Sequence, residues 1–194
     1  MQTTQSISCK TYVPWLTGKA SNVYTQFGED GLIEAVFDEI GTTNRHCFEI
    51  GAHDGVWYSN TLVLRELGWS AVLFEADPEH YAKLDESFGA VSKCVLGKIT
   101  DLDAALFFTS IERTPDFGVI DIDGQDFWMW SDLYLYRPRV MLVETHQERC
   151  EPVPERGGAG QAGLDAITAL GGQKGYVLVA STYCNALFVD SKCL

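Results

Sequence analysis

The chain has 194 residues and a mass of 21.5 kDa, enough for one ordinary domain but not for two full ones. Apolar residues make up 46% and charged residues 21%, a composition that can bury a core and excludes disorder as the main state. Fourteen Lys and Arg against 27 Asp and Glu give a formal net charge of −13, which would repel a phosphate backbone or an anionic bilayer. We therefore expect neither nucleic acid nor a membrane as a partner.

We expect neither a signal peptide nor a membrane-spanning segment in this sequence. Its first twenty residues lack an apolar run of signal-peptide length, and nowhere do about 18 apolar residues follow one another as a membrane span requires. No two of the six cysteines show the two-residue spacing of a redox or zinc motif. We expect a cytoplasmic protein with free thiols.

Apolar runs of strand length alternate with segments of helical period, a pattern typical of an α/β fold with a parallel sheet. In chain order, strands are predicted at residues 46–50, 70–75, 91–96, 117–122 and 139–144, then a closing antiparallel hairpin at 176–180 and 186–189. Helices are predicted at 29–40, 60–67, 78–88 and 164–170. Residues 1–194 then form a single domain, with an N-terminal segment at 1–27 and a mobile loop rich in Gly and Pro at 148–163.

Most of the predicted parallel strands end in carboxylates or glycines. The residues at or directly after these ends are Glu49, Gly51, Glu75, Gly97, Asp121, Asp123, Glu144 and His146. In a doubly wound sheet, ligands bind outside the carboxyl ends of the strands. A sheet with a purely structural role would not gather like charges at one edge, because they raise each other's pKa and cost stability. The pattern predicts a ligand site at this edge.

The turn from Gly51 to Gly55 follows the first buried strand and opens a helix. Glu75 follows about 20 residues after the turn, the spacing at which an acid accepts hydrogen bonds from ribose hydroxyls. The turn lacks the third glycine that a dinucleotide pyrophosphate needs. A nucleoside cofactor with a free amino group and no phosphate, such as S-adenosylmethionine, suits this layout.

The segment CFEIGAHDGVWYSNTLVLRELGWSAVLFEADPEHYAKL resembles the first half of class I S-adenosylmethionine-dependent methyltransferases. With the motifs QFGEDG at 26–31, VIDIDG at 119–124, GYVLV at 175–179 and NALFV at 185–189, the chain is similar to the FkbM-type group of that class. The similarity runs from about residue 24 to residue 190.

This resemblance implies a single-domain Rossmann-like methyltransferase fold: a seven-stranded, mostly parallel sheet with the last strand antiparallel and helices on both faces. It implies cofactor binding at Glu49, Gly51, Ala52, Asp54, Gly55 and Glu75. Ala76, Gly97 and Asp121, at or beside strand ends, are further cofactor-binding candidates. The implied reaction is O-methylation of a small hydroxylated molecule, such as a sugar or a glycan end.

The run Asp121, Asp123 and Asp126 follows the fourth predicted strand, and the first two are expected on the same side of a strand that is still regular there. In one interpretation they hold Mg²⁺ or Ca²⁺, joined by Glu144 or His146. In another, Asp121 binds the cofactor and Asp123 or His146 is the general base. In a third, Asp126 caps the following helix.

Five aromatic residues follow the acidic run, namely Phe127, Trp128, Trp130, Tyr134 and Tyr136. The helical spacing of Phe127, Trp130 and Tyr134 predicts that they pack on the sheet, which leaves Trp128 as the better pocket residue.

Two other functions stay open at this stage. A nicotinamide-dependent oxidoreductase could use the same fold, although the missing third glycine disfavours it. A nucleoside-binding interaction module without catalytic activity would bind the cofactor but turn nothing over.

Overall fold

A computed structural model describes residues 9–107, 109, 111–145, 153–158 and 160–194. One mixed sheet crosses it, in the order β1-β7-β8-β6-β5-β2-β3-β4. The eight strands are β1 (Lys10–Thr11), β2 (His46–Ile50), β3 (Ser70–Glu75), β4 (Lys93–Leu96), β5 (Phe117–Ile120), β6 (Val140–Glu144), β7 (Tyr176–Ser181) and β8 (Asn185–Asp190). The six α-helices are α1 (Glu29–Ile40), α2 (Leu62–Glu66), α3 (Pro78–Phe88), α4 (Leu102–Phe107), α5 (Asp126–Asp132) and α6 (Leu164–Gln173).

The direction of the strands confirms the predicted fold class. Strands β2 to β6 are parallel, and β8 runs antiparallel to both β6 and β7. The sheet has eight strands instead of seven because the two-residue β1 adds an antiparallel edge beside β7. A strand this short leaves no alternation for sequence analysis to detect.

Two hydrophobic cores lie on the two faces of the sheet. In β2, Cys47 belongs to one core with α1 and α3, while Phe48 belongs to the other with α4, α5 and α6. Strands covered on both faces are apolar along their whole length, which is why the sequence shows continuous runs there. In the described part of the chain, no helix is long and apolar enough to cross a membrane.

Strand register brings the candidate site together. Ile50 at the end of β2 lies opposite Phe74 of β3 and Ile120 of β5. The carboxyl ends of these three neighbouring strands are therefore level, and the loops that follow them leave the sheet at one edge.

The structure describes only parts of the predicted N-terminal segment 1–27 and of the predicted mobile loop 148–163. In the N-terminal segment 1–27, residues 10–11 form β1 and residues 14–16 form a short 3₁₀ helix. In the predicted mobile loop 148–163, the described residues 153–158 are joined to α5 by hydrogen bonds, among them Trp128 Nε1–H to the Pro154 carbonyl at 2.8 Å.

Candidate functional site

A cleft of about 1170 Å³ opens at the carboxyl ends of the parallel strands. Its walls include eight of the residues predicted from sequence: Glu49, Gly51, Ala52, Glu75, Ala76, Gly97, Asp121 and Asp123. Asp54 and Gly55 belong to the same turn as Gly51 but are not among the described lining residues. His146, predicted as a base, lies outside the described residues.

The turn after β2 is fixed tightly to its neighbours. Gly51 has φ +86°, and a Cβ on it would lie 1.8 Å from the carbonyl oxygen of Asp121. The backbone N–H groups of Gly51 and Ala52 both donate to the Phe74 carbonyl, each at 3.0 Å. Only glycine combines this φ with so close an approach of two backbones. The turn therefore joins the ends of β2, β3 and β5.

Asp54 and Gly55 shape the next part of this loop. Asp54 Oδ1 accepts hydrogen bonds from the backbone N–H groups of Val56 at 3.0 Å and Trp57 at 2.8 Å. These bonds lower the pKa of the Asp54 carboxyl, although desolvation opposes them. Gly55 has φ +78°, and a Cβ there would lie 2.7 Å from the Leu84 side chain of α3. Asp54 and Gly55 therefore hold the loop in position without lining the cleft themselves.

Glu75 connects two loops while it faces the cleft. Its Oε2 accepts the backbone N–H of His53 at 2.7 Å, and its Oε1 accepts that of Asp77 at 2.7 Å. Asp77 in turn caps α3 by accepting from the N–H groups of Glu79 and His80. Each carboxylate oxygen of Glu75 has a second lone pair, so the side chain can also accept from a ligand hydroxyl.

Glu49 is buried beneath the loop that leads into α2. Its carboxylate accepts from Ser59 Oγ at 2.8 Å, the Asn60 N–H at 2.8 Å and Thr61 Oγ1 at 2.6 Å. The guanidinium of Arg65 donates to the same two hydroxyls, at 3.1 Å and 3.2 Å. Glu49 and Arg65 thus balance each other's charge through hydroxyl groups.

Asp126 and Glu144 organise the loop after β5. Asp126 accepts the N–H of Ile122 at 2.9 Å and that of Gly124 at 3.0 Å. It is the first residue of α5 and Gln125 is the N-cap, so the interpretation in which Asp126 caps this helix is wrong. Glu144 Oε2 accepts the N–H of Asp123 at 3.0 Å. The loop is therefore held between two acidic side chains.

The carboxyls of Asp121, Asp126 and Glu144 have raised pKa values. Burial, and then the charge of Glu144, raises the pKa of Asp126 to about 7. The pKa of Asp121 is also well above its ordinary value because of burial and the charges of Glu144, Asp126 and Glu49. The pKa of Glu144 is raised by burial and by Asp123. This group of acids can therefore retain a proton near neutral pH.

The prediction that Asp121 and Asp123 lie on the same side of a regular strand is wrong. Strand β5 ends at Ile120, and Asp123 has φ +56°, so the two carboxylates do not follow the alternation of a regular strand. Within the described ranges, no group of three or more His, Cys, Asp or Glu side chains could hold a metal ion.

The aromatic residues in α5 and in the segment after it differ in burial. Trp130 and Tyr136 are buried, and Trp128 lines the cleft, as the sequence indicates. Tyr134 lies beyond the end of α5 and is 76% exposed, so the prediction that it packs on the sheet is wrong. The helical spacing failed there because the helix ends at Asp132.

Two adjacent aromatic residues and a basic residue in the cleft wall were not predicted from the sequence. Trp57 and Tyr58, in the loop between β2 and α2, line the cleft. Arg156 lines it too, bonded to Asp132 and with its guanidinium 4.3 Å from the ring centroid of Trp128. The aromatic pair was visible as an apolar cluster inside a turn, but the contact of Arg156 joins residues far apart in sequence.

No family model matches the chain, and no curated protein matches it. Solved structures do match. The CurJ carbon methyltransferase aligns with a TM-score of 0.57 and 10% identity, over 83% of this chain and 52% of that chain. TehB from Haemophilus influenzae aligns with a TM-score of 0.54 and 12% identity, over 85% of this chain and 63% of that chain. A TehB-like SAM-dependent methyltransferase from Corynebacterium glutamicum aligns with a TM-score of 0.51 and 13% identity, over 90% of this chain and 92% of that chain.

The chain thus spans about half the length of the CurJ protein but nearly all of the Corynebacterium protein. Identities this low carry information about the fold and not about the substrate. The order and directions of strands β2 to β8 and the helices on both faces agree with that fold. The chain therefore has the fold of the class I S-adenosylmethionine-dependent methyltransferases.

Proposed function

We propose that this chain is an S-adenosylmethionine-dependent methyltransferase of the FkbM-type group that O-methylates a small hydroxylated molecule, such as a sugar or a glycan end. One observation carries the proposal. The carboxylate of Glu75 ends β3 at the cleft wall, bonded to the loop that contains Gly51, in a fold shared with methyltransferases.

The residues present fit this cofactor. Pockets for drug-sized ligands measure roughly 300 to 1,000 Å³, so a cleft of about 1170 Å³ has room for a cofactor and a small acceptor together. Seven carboxylates but only two Lys or Arg side chains, Lys98 and Arg156, are among the described lining residues. This charge suits a cationic sulfonium and an amino group, whereas the pyrophosphate of a nicotinamide dinucleotide would be repelled.

Within this proposal each residue has a stated task. Glu75 accepts hydrogen bonds from the ribose hydroxyls, and the backbone around Gly51 and Ala52 lies against the methionyl part. Ala76, Gly97 and Asp121 complete the cofactor-binding wall. The bound cofactor supplies an activated methyl group, so alignment of the acceptor is the main requirement on the protein.

The acceptor hydroxyl needs a base. Asp123 lines the cleft, and its backbone is fixed by the bond from its N–H to Glu144. We propose that Asp123 takes the proton from the hydroxyl, with His146 as the other candidate. A Mg²⁺ or Ca²⁺ ion held by Asp121 and Asp123 stays a prediction, for which the described residues provide no third ligand.

Calorimetric titration with S-adenosylmethionine and S-adenosylhomocysteine, with and without Mg²⁺, tests the cofactor. We expect micromolar binding, and a loss of about 1 to 3 kcal/mol in Glu75→Ala because buried hydrogen bonds to a charged group disappear. Glu79→Ala is the matched control, since Glu79 is an exposed acid in the first turn of α3.

Three outcomes would contradict the proposal. No heat from folded protein with either ligand would reject the cofactor, and tighter binding of NAD would favour an oxidoreductase. Equal affinity in Glu75→Ala and Glu79→Ala would reject the role of Glu75.

A further inference from the structure

Two large aromatic side chains stand exposed in the wall of the cleft. Trp57 is 61% exposed and Tyr58 is 43% exposed, and their ring centroids are 4.6 Å apart with the planes tilted by 54°. Both residues line the cleft. Aromatic faces left in contact with water inside a cavity are typical of surfaces that bind a ring or a cation.

The protein holds these rings out of its core. The Trp57 N–H donates to Asp54 Oδ1 at 2.8 Å, which holds the backbone of the first aromatic residue in place. The bond from the Asn60 N–H to the buried Glu49 fixes the chain just after the pair, also at 2.8 Å. Tyr58 has φ +54°, a conformation that is uncommon for a bulky residue. The loop is anchored on both sides, and the two rings remain available to a ligand.

The carboxylates around the cleft fall into two groups. Glu49 and Glu75 accept hydrogen bonds from neighbouring loops, Asp77 accepts them from the first turn of α3, and Asp132 is paired with Arg156. The second group consists of Asp121, Asp123 and Glu144, beside the ends of β5 and β6. In the described part of the chain, no Lys or Arg forms an ion pair with any of these three.

The balance of basic groups favours a cationic ligand. Arg156 forms an ion pair with Asp132, which leaves Lys98 as the other Lys or Arg among the described lining residues. A cation bound at the β5 and β6 side of the cleft stabilises the ionised form of these acids, so this side favours positive charge over negative charge.

Resting on the proposed methyl transfer, we propose that the acceptor is a hydroxylated ring that carries a protonated amino group, such as an amino sugar. The ring lies against Trp57 and Tyr58, and the ammonium group is directed to Asp121, Asp123 and Glu144. The aromatic faces bind the apolar side of the ring or the cation, and the carboxylates select its charge. Neutral rings bind more weakly and acidic rings are excluded.

Three hexoses of nearly equal shape test this selection: glucosamine, glucose and glucuronate. Each is titrated into the full chain at neutral pH and low salt, with and without S-adenosylhomocysteine, and binding is followed by tryptophan fluorescence and calorimetry. We expect glucosamine to bind at least about tenfold more tightly than glucose, and glucuronate not to bind. Added salt should reduce the preference.

Variants separate the two parts of the surface. Trp57→Ala should weaken the binding of glucosamine by about tenfold. Asp123→Asn should reduce the preference for glucosamine over glucose by about threefold. Both variants should keep the melting temperature of the parent. Tyr134→Ala is the matched control, because Tyr134 is an exposed aromatic outside the described cleft lining.

Equal binding of the three hexoses, preference for glucuronate, or no binding of any of them at millimolar concentration overturns this inference. Failure of the proposed function gives a different result, namely no heat with S-adenosylmethionine or S-adenosylhomocysteine. A chain that binds the cofactor but shows no preference for glucosamine keeps its proposed function and loses this acceptor.

Discussion

The two halves of the cleft wall use the same residue type for different purposes. At the ends of β2 and β3, the carboxylates of Glu49 and Glu75 accept hydrogen bonds from neighbouring loops on both oxygens. At the ends of β5 and β6, burial and then the charge of Glu144 raise the pKa values of Asp121 and Asp126, while burial and Asp123 raise that of Glu144. In the first half, donors satisfy both oxygens of each acid, whereas in the second half burial and the charges of neighbouring acids favour the protonated form.

This difference shows that a carboxylate at a strand end does not have one fixed role. Where a loop folds back over the strand, its N–H and hydroxyl groups satisfy the charge, and the acid becomes part of the scaffold. Where acids from adjacent strands face each other, burial favours the protonated form, and the group becomes responsive to pH and to a cation. Four substitutions test this contrast.

The largest expected effect is in the organised half. Glu49→Ala removes the acceptor for two hydroxyls and one N–H, and it leaves the partly buried Arg65 without its counter-charge. We expect a loss of about 4 kcal/mol in the free energy of unfolding, measured with urea. Glu49→Gln keeps the shape and part of the bonding, so it should lose about half as much. Equal loss in the two variants would show that the charge of Glu49 is essential.

The second-largest effect is expected at the contact between the two halves, where Gly51 meets the backbone of Asp121. Gly51→Ala would place a Cβ against the carbonyl oxygen of Asp121, so we expect the free energy of unfolding to fall by about 3 kcal/mol. Gly97→Ala is the control, because Gly97 also has positive φ but no heavy atom lies within 4 Å of its Cβ position. It should lose about 1 kcal/mol from backbone strain alone. A milder effect at Gly51 than at Gly97 would reject the tight contact.

The acidic half predicts a dependence on pH. The folded-state pKa of Asp126 is raised to about 7, so its folded form binds a proton that the unfolded chain releases near pH 4. The contribution of Asp126 to stability is therefore fully present below about pH 4 and is lost as the pH rises to about 7.

In Asp126→Asn this loss should be absent, which changes the difference in unfolding free energy between the two proteins by about 3 kcal/mol from pH 4 to pH 7. Urea unfolding across that range measures it. The exposed Asp38 of α1 provides the control variant Asp38→Asn. Parallel curves for the parent and Asp126→Asn would show that the folded-state pKa of Asp126 is not raised.

The smallest expected effect is at the loop that carries the aromatic pair. Asp54→Ala removes the acceptor for the N–H groups of Val56 and Trp57, in a partly exposed turn. We expect a loss of about 1 kcal/mol and a change in the fluorescence of Trp57. A loss as large as that of Glu49→Ala would mean that this loop belongs to the core scaffold.

Sequence patterns predicted most of the sheet. The strand at residues 46–50 was predicted with the bounds that the structure has, because buried strands have continuous apolar runs. The strand predicted to reach residue 122 ends at Ile120, since Ile122 and Asp123 turn away to meet Asp126 and Glu144. An apolar residue two positions beyond a strand looks the same in sequence as one inside it.

The chain by itself determined which residues end the strands and therefore which side chains meet at one edge, because local periodicity fixes the elements and a parallel sheet aligns their ends. Only the tertiary structure decided what each acid does there. Glu49 and Glu75 are satisfied by loops that fold over them, and Asp121 and Glu144 are brought against each other by the pairing of β5 with β6. Hydrogen bonding and mutual repulsion depend on distances of a few ångströms between segments far apart in sequence, and no local pattern encodes those distances.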